Sequence, residues 1–324
     1  MSLFNNHQTA CRPLVVGLGE ALFDCFPDRV VLGGAPMNVT VHADAILGPL
    51  GGAGVPVTRV GGDELGERFV SEARQRGLST QYVQTDESRP TGRVVVTLDD
   101  GGHASYRFDT ESAWDALEYD ASLATLAGRC DGVAFGTLAQ RNTASREAIT
   151  DFVANATQAV RLFDVNLRQQ YYSADLLDAS LQLASAAKLN EEELREVCEL
   201  LELRDAGSGD IDQAATLLSA AYRLDWLAIT RGAEGTALYA DGVKHTGAPA
   251  SFSCEPNADT VGAGDACCAG LLCGTLLGYT RQATLGLANR LGAYVATRPG
   301  ATPELPRSLL AMAPSESTAA TDQA

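Results

Sequence analysis

Short apolar runs rich in β-branched residues recur along the chain. They occupy residues 13–19, 55–61, 132–137, 160–166, 186–190 and 224–230. Runs of this length and composition are typical of strands buried inside a sheet. The pattern therefore predicts a series of buried strands spread from residue 13 to residue 230.

Stretches with helical spacing of apolar residues lie between these runs, for example at 64–75, 145–156 and 191–203. Strands that alternate with helices predict the α/β class, with a parallel sheet covered by helices on both faces. In open sheets of this class, ligands bind beyond the carboxyl ends of the strands. Candidate site residues are therefore expected just after the apolar runs.

Residues 91–109 (TGRVVVTLDDGGHASYRFD) break this pattern. Two alternating segments flank a turn at 99–102, which predicts an antiparallel hairpin that stands outside the main sheet as a small flap. The small, polar segment after Pro314 predicts a disordered tail. Because no repeat or strong linker interrupts the rest, we expect one domain over residues 1–312 and a tail at 313–324.

The composition is that of a soluble globular enzyme. Of the 324 residues, 45% are hydrophobic and 20% are charged, and the length is enough to bury a large core. The formal net charge is −17 and the pI is near 4.6, which argues against nucleic acid or an anionic membrane as a partner. A nucleotide would have to be held by backbone N–H groups, a few arginines and a metal ion.

We find no export signal and no membrane span in the sequence. The N-terminus lacks a basic region followed by an apolar one, and no apolar stretch reaches the roughly 18 residues that a span needs. The eight cysteines form no CxxC pair and have no histidine at metal spacing. We therefore expect a cytoplasmic protein with buried, reduced thiols.

The segment NADTVGAGDACCAG (257–270) carries the most chemical information. Gly262, Ala263 and Gly264 are small enough for the backbone to approach a ligand, and they precede an apolar helix whose free N–H groups and dipole favour an anion. Asp265, in the first turn of that helix, is suited to take a proton from a hydroxyl that attacks a phosphoryl group. The alternative is that Asp265 only caps the helix and the glycines only form a turn.

GEALFD (19–24) and GGAPMN (33–38) form a second candidate site. Asp24 is expected just past the first strand, Gly33 and Gly34 precede a helix, and Asn38 can both donate and accept. A carboxylate with an amide is suited to bind sugar hydroxyls, although a capping aspartate and a loop turn would give the same pattern. A dinucleotide fingerprint and a Walker motif are both absent from the sequence.

Polar residues also end two of the predicted strands. In FDVNLR (163–168), alternation places Asp164, Asn166 and Arg168 on one face, which is costly unless that end lines a cleft. In KLNEEEL (188–194), Asn190 and Glu193 form either a capping box or a site for hydrated magnesium.

ITRGAEG (229–235) follows the last predicted strand. Its Gly232 and Gly235 are suited to close approach by a nucleotide. A simple hairpin turn is the alternative.

Together these segments resemble the ribokinase-like carbohydrate kinases, also called the PfkB family, from about residue 14 to residue 310. DTVGAGD (259–265) matches the C-terminal signature of that family, and GGAPMN with RVGGDELG (59–66) matches the N-terminal one. The resemblance implies a three-layer α/β/α fold with a mainly parallel central sheet and a small β lid, formed by about 24–33 and 90–110. It also implies phosphorylation of a sugar hydroxyl by ATP and Mg²⁺.

The resemblance assigns roles to individual residues. Asp265 would be the general base, and the anion hole would be formed by Gly262, Ala263, Gly264 and Asp265. Sugar contacts are implied for Asp24, Gly33, Gly34 and Asn38, and Arg168 is a candidate for contact with the phosphates or the substrate. The nucleotide residues would be Asn190, Thr230, Gly232, Gly235 and Asn289.

Two cation sites follow from the same resemblance. Asn190 and Glu193 match an element that organises magnesium and phosphates, with the metal held through water. Asp259 matches a residue near a monovalent-cation site, for which K⁺ is the candidate ion. Its remaining ligands would be the carbonyls of Val261, Val295, Arg298 and Gly300.

Within the family the pattern is most similar to fructokinases, a subgroup that also includes 2-keto-3-deoxygluconate kinases. The acceptor could therefore be a keto-deoxy acid, another sugar or a nucleoside. A carboxylate substrate would need an arginine, which Arg168, Arg93 or Arg107 could supply. A non-catalytic sugar sensor on the same fold is an alternative of another class, and the intact Asp265 counts against it.

Two departures from the family pattern bear on the lid and the nucleotide turn. The segment between Asp24 and Gly33 is short, so we expect the lid to depend on the 91–109 hairpin alone and to close less completely. Arg231 stands where relatives carry an apolar residue, and it faces either phosphate or solvent. Lids of this kind are often used for dimerisation, so a homodimer through the lid is a further expectation.

Overall fold

Thirteen strands in the described part of the chain form two sheets. The computed structural model describes residues 12–26, 29–98, 104–203 and 210–310. The strands of the main sheet are β1 (Leu14–Leu18), β4 (Ala53–Gly61), β5 (Val83–Asp86), β8 (Gly132–Gly136), β9 (Val160–Asp164), β10 (Ala186–Asn190), β11 (Trp226–Thr230), β12 (Thr236–Ala240) and β13 (Val243–Thr246). Those of the small sheet are β2 (Leu22–Cys25), β3 (Val30–Gly33), β6 (Gly92–Leu98) and β7 (Ala104–Phe108).

The main sheet has the order β13-β12-β11-β10-β9-β8-β1-β4-β5. From β11 to β5 all neighbours are parallel, and β12 and β13 extend one edge as antiparallel strands. The carboxyl ends of the parallel strands therefore lie along one edge of the sheet. This edge carries most of the candidate site residues.

Helices cover both faces of the main sheet. They are α1 (Ala35–Leu47), α2 (Glu64–Gln75), α3 (Ala121–Ala127), α4 (Thr143–Asn155), α5 (Ala174–Leu183), α6 (Glu191–Leu200), α7 (Ile211–Tyr222), α8 (Ala263–Leu276), α9 (Arg281–Val295) and α10 (Arg307–Leu310). One core cluster joins α1, α8 and α9 to the sheet, and another joins α3 to α7 to its opposite face. The three-layer fold is confirmed. Among the described helices, none combines the length and apolar character needed to cross a membrane.

The small sheet has the order β3-β2-β6-β7. The predicted hairpin is present as the antiparallel pair β6–β7, while its turn at 99–102 lies outside the described residues. The expectation that the lid depends on this hairpin alone is wrong, because β2 pairs with both β3 and β6. Phe23 and Leu32 anchor this sheet to α2 by packing around Phe69. The homodimer through the lid stays a prediction.

All six predicted strands of the main sheet are confirmed. The sequence pattern missed β5, β12 and β13 of that sheet and β2 and β3 of the lid. Asp24 therefore lies within β2 of the small sheet and not in a loop after β1. The predicted disordered tail and Cys11 fall outside the described residues.

The cysteine prediction holds for most of the chain. Seven cysteines are described and all are free thiols, of which five are buried. Cys25 is half-buried and Cys254 is exposed. The buried thiols Cys267, Cys268 and Cys273 belong to the face of α8 that packs into the core.

Candidate active site

Asp265 lies in the first turn of α8 and is held from a second helix. The Nδ2 atom of Asn38, on α1, donates to Asp265 Oδ2 at 2.8 Å. The N-cap residue of α8 is Gly262, so Asp265 does not have the capping role that the sequence left open. The side chain is instead a partly buried acceptor fixed by an amide from across the site.

The surroundings of Asp265 make its carboxylate a better proton acceptor. Burial, and after it the charge of Asp164, raise the pKa of Asp265 to about 6. The hydrogen bond from Asn38 and the charges of Lys188 and Arg168 oppose this rise. A carboxyl group with this pKa is mostly ionised at neutral pH and still binds a proton more tightly than an ordinary aspartate does.

The start of α8 is closely packed around Gly262. This residue has a φ of 78°, and a Cβ placed on it would lie 2.5 Å from the carbonyl oxygen of Ala301. Glycine is therefore required here for its conformation and for space. The amide of Ala263 already donates to Thr260, so the first-turn donors available to an anion are those of Gly264 and Asp265.

A buried ion pair lies directly beneath this turn. Lys188 Nζ is 2.8 Å from Asp164 Oδ1, and both side chains are almost fully buried. The same Nζ lies 3.6 Å from the position that a Cβ on Gly264 would take. Burial opposes the charge of Lys188, but the carboxylate of Asp164 outweighs it and raises the pKa of Lys188 well above its usual value. A cation is thus held below the proposed anion hole.

The residues predicted to contact the sugar lie on the small sheet and at the start of α1. A Cβ on Gly33 would lie 2.7 Å from Asp24 Oδ2, so this glycine makes room for the carboxyl group. Gly34, with a φ of 104°, is the N-cap residue of α1. Burial, followed by the charges of Asp259 and Asp265, raises the pKa of Asp24 to about 6. Asp24 therefore belongs to the same electrostatic cluster as Asp265.

Glu20 is a site residue that we did not identify from the sequence. It is 4% exposed and accepts a hydrogen bond from the amide of Ala35, the first residue of α1. Its Oε2 atom has no hydrogen-bond partner in the described structure and it lines a small cavity with Asp164 and Asn166. Burial is the main reason why the pKa of Glu20 rises to about 7, and the charge of Asp265 adds to it.

The segment after β9 does not have the predicted geometry. The strand ends at Asp164, and Asn166 has a φ of 41°, so alternation does not place Asp164, Asn166 and Arg168 on one strand face. Arg168 nevertheless lies close enough to the acidic cluster for its charge to lower the pKa of Glu20, Asp24 and Asp265. It is therefore a cation within electrostatic reach of all three carboxyl groups.

A cavity of about 530 Å³ lies between the start of α8 and α9. Four of the five predicted nucleotide residues line it, namely Thr230, Gly232, Gly235 and Asn289. The cavity reaches Gly264 at the start of α8, and its size is that of a small-molecule site. Asn289 is fixed by a 3.0 Å hydrogen bond from Nδ2 to the carbonyl of Ala248.

Gly232 and Gly235 belong to a hairpin turn beside this cavity. It joins the antiparallel strands β11 and β12. The segment ITRGAEG is therefore a hairpin turn, and its Gly232 and Gly235 also line the cavity. Arg231 is partly buried, and its guanidinium lies 3.9 Å from Glu234 across the turn.

The fifth predicted nucleotide residue, Asn190, forms a capping box with Glu193 at the start of α6. Asn190 Oδ1 accepts from the amide of Glu193, and Glu193 Oε2 accepts from the amide of Asn190, both at 2.8 Å. Glu193 Oε1 accepts from the amide of Leu167 at 3.0 Å. Both carboxylate oxygens therefore have backbone partners, and among the described residues we find no group of three acidic, histidine or cysteine side chains that could hold a metal ion.

Asp259 organises the loop before α8 and the loop after α9. Its Oδ1 accepts from the amide of Val261 at 3.0 Å and its Oδ2 from the amide of Gly300 at 3.1 Å. Its own amide donates to the carbonyl of Arg298 at 3.2 Å. Four of the five residues predicted for a monovalent cation are thus linked through Asp259. The fifth, Val295, is linked to them through Arg298, whose amide donates to the carbonyl of Val295 at 3.0 Å.

The sequence matches a known protein family over most of its length. A model of the pfkB family of carbohydrate kinases matches residues 20–307. Fructokinase of Escherichia coli is 31% identical over 317 residues, which cover 89% of this chain and 95% of that protein.

Two solved structures have the same fold. Fructokinase of Xylella fastidiosa with bound ATP has a TM-score of 0.77 and 23% identity, and covers 92% of this chain and 98% of its own. A fructokinase double mutant from Vibrio cholerae O395, bound to fructose, ADP and potassium ion, has a TM-score of 0.74 and 22% identity. It covers 93% of this chain and 98% of its own.

Proposed function

Because the chain belongs to the pfkB family of carbohydrate kinases, it is a phosphotransferase that acts on a sugar hydroxyl, and we propose that this sugar is fructose with ATP as the donor. The observation that carries the proposal is the position of Asp265. Its carboxylate is held by Asn38 in the first turn of α8, next to Gly264, which lines the 530 Å³ cavity. A base at this position faces both reactants.

The reaction follows from this placement. The sugar hydroxyl gives its proton to Asp265 as its oxygen forms a bond to the γ-phosphorus, and the bond between that phosphorus and the β–γ bridging oxygen breaks to release ADP. Asn38 keeps the carboxylate oriented. The first-turn amides of Gly264 and Asp265, with the ammonium of Lys188 below them, stabilise the negative charge on the transferring group.

A divalent ion is implied by the family, and we propose Mg²⁺. Magnesium keeps several of its waters and binds phosphates, so it does not need a full set of protein ligands. Both oxygens of Glu193 already accept backbone N–H groups, and this fits an indirect role in which Asn190 and Glu193 hold the hydrated ion through water. When bound, Mg²⁺ would neutralise the phosphate charge.

We also propose K⁺ as a structural ion of the loops around Asp259. Carboxylate and carbonyl oxygens suit a hard cation, and Val261, Arg298 and Gly300 are already gathered by hydrogen bonds to Asp259 or from it. The ion would rigidify the segment that leads into α8.

The charge of the sugar side supports a neutral acceptor. Glu20, Asp24 and Asp265 are three buried or partly buried carboxyl groups close to it, and the charge of Asp265 raises the pKa of both Glu20 and Asp24. A carboxylate-bearing substrate would add a fourth negative charge. Arg168 already faces these groups, and Arg93 is paired with Asp109 at 2.9 Å. A keto-deoxy acid is therefore the less favourable substrate.

An acceptor screen tests the proposal. ATP consumption is measured over fructose, 2-keto-3-deoxygluconate, ribose, tagatose and inosine, with and without K⁺. We expect the highest kcat/KM for fructose, at least about tenfold above the keto-deoxy acid, which corresponds to ~1.4 kcal/mol of discrimination. A higher value for the keto-deoxy acid or for the nucleoside would overturn the assignment of the acceptor while leaving the kinase activity intact.

A further inference from the structure

Two residues of helix α1, one turn apart, form hydrogen bonds with Asp265 of α8 and with the loop that packs against the start of α8. Asn38 reaches Asp265, as described above, and His42 lies four residues later on the same face of the helix. The Nε2 atom of His42 is 3.0 Å from the carbonyl oxygen of Ala301. Ala301 follows Gly300, which is bound to Asp259, so His42 and Asp259 hold the same loop from two sides.

The protonation state of His42 is fixed by its surroundings. The ring is completely buried, and burial lowers the pKa of His42 to about 4, so it is neutral at physiological pH. A carbonyl oxygen can only accept, and therefore the proton of the neutral ring is on Nε2. The other ring nitrogen, Nδ1, has no hydrogen-bond partner in the described structure.

This arrangement is a poor way to gain stability. The cost of a buried acceptor without a partner is at least as large as the stability that one hydrogen bond contributes. An apolar side chain of similar volume would avoid that cost. The imidazole is better explained by what its N–H holds in place.

The loop that His42 holds is packed against Gly262, the N-cap residue of α8. The oxygen, Cα and Cβ atoms of Ala301 all lie within 2.6 Å of the position that a Cβ on Gly262 would take. Ala301 is itself 3% exposed, so it cannot move away from Gly262 without opening the core. A displacement of Ala301 would therefore change the start of α8, where Gly264 and Asp265 begin the helix.

We propose that His42 is a positioning residue for phosphoryl transfer. Its hydrogen bond to Ala301 keeps loop 298–301 packed against Gly262. This packing fixes the position of Asp265 and of the first-turn amides of α8 relative to α1. This inference rests on the proposed function. It also links the residues proposed to bind the sugar to the loop proposed for K⁺, because α1 begins directly after Gly34 and its His42 reaches Ala301.

The test compares three variants with a matched control. His42→Ala removes the donor, His42→Leu keeps the volume without a donor, and His42→Gln keeps both volume and donor. Thr40→Val is the control, since Thr40 is equally buried on α1 but its hydroxyl donates to Pro36 within the same helix, at 2.9 Å. Activity is measured as kcat and as KM for sugar and for ATP.

We expect His42→Ala and His42→Leu to lower kcat about tenfold or more, with both KM values within about threefold, because misplacement of catalytic groups acts on the chemical step. His42→Gln should recover a large part of the loss. Thr40→Val should keep kcat within about twofold even where its melting temperature falls. If His42→Ala does not fold, the comparison of His42→Leu with His42→Gln still separates the loss of the donor from a change of volume.

Hydrogen exchange supplies a readout that does not depend on activity. Peptides covering 259–266 and 298–303 should exchange faster in His42→Leu than in the wild type, and Thr40→Val should leave them unchanged. Unchanged exchange in both segments, or a kcat for His42→Leu equal to that for His42→Gln, would overturn the inference. A wild type that phosphorylates no sugar would instead refute the proposed function, and the exchange data would still decide whether His42 holds the loop.

Discussion

Replacing Glu20 with glutamine should make the protein more stable at neutral pH and leave it unchanged under acidic conditions. Glu20 is buried without a cationic hydrogen-bond partner, and Asp265 adds a second negative charge nearby. Glutamine keeps the shape and the oxygen that accepts from Ala35. It replaces the unpaired Oε2 atom with a neutral NH2 group, which is an uncharged donor like the O–H of the protonated carboxyl group, so the variant tests the cost of the buried charge.

The magnitude follows from the pKa of Glu20. Its ordinary value of 4.5 rises to about 7 in the folded protein. Each pH unit of difference corresponds to ~1.4 kcal/mol, so the ionised side chain costs about 3 kcal/mol relative to its neutral form. Because the folded pKa is above the unfolded one, the folded protein keeps a proton that the unfolded chain has released. The free energy of unfolding therefore falls as the pH rises from about 4.5 to about 7.

Urea unfolding at pH 5 and at pH 8 measures this effect. Glu20→Gln should be more stable than the wild type by about 3 kcal/mol at pH 8 and by less than ~1 kcal/mol at pH 5. Glu147→Gln, which removes an exposed carboxylate on α4, should change stability by no more than about 0.5 kcal/mol at either pH. A Glu20→Gln protein that is equally or less stable than the wild type at pH 8 would refute the reasoning.

Three further predictions concern catalysis and binding. The acid limb of kcat/KM should have its midpoint near pH 6, because Asp265 must be ionised to accept a proton and burial raises its pKa to about 6 in the free protein. Initial rates at low sugar concentration from pH 4 to 8 check this, and a midpoint near 4 would contradict it. Gly262→Ala should lower kcat at least about 100-fold and destabilise the fold by more than ~2 kcal/mol, since its Cβ would meet Ala301. Gly242→Ala is the control, because Gly242 has a similar φ with open space around it, and this change should cost only ~1–2 kcal/mol and leave kcat unchanged. Equal effects of the two substitutions on kcat would refute the steric argument. Asp24→Asn should raise the KM for the sugar at least about tenfold and leave the KM for ATP within about twofold, and an unchanged sugar KM would remove Asp24 from the site.

The strands of the central sheet could be predicted because helices bury them on both faces. A strand such as β10 or β11 is a continuous apolar run, which stands out from the amphipathic helices around it. The lid strands β2 and β3 have only four residues each and lie half in solvent, so their pattern is too short to distinguish from a loop. Antiparallel β13 is missed for the same reason, since its residues are exposed or half-buried.

The site could be predicted where its residues belong to a local motif. Asp265 and the glycines before it lie in one turn, so their spacing marks a candidate site, and the resemblance to the family favours a base there over a helix cap. Glu20, Lys188 and His42 could not be found in this way, because their importance comes from burial beside residues distant in sequence. A charged residue inside an apolar run is a usable signal for Lys188, which interrupts the strand AAKLN. Alternation was misleading for Arg168, because the strand ends at Asp164 and the chain turns at Asn166.

Asp265→Asn shows whether Asp265 takes the proton of the sugar hydroxyl. The substitution keeps the size of the side chain and removes its basicity. Single-turnover and steady-state rates on the preferred sugar should fall by about 10²–10⁴, the usual contribution of a general base, while calorimetry shows ATP binding within about threefold of the wild type. A variant that retains more than about a tenth of the wild-type kcat would contradict the account.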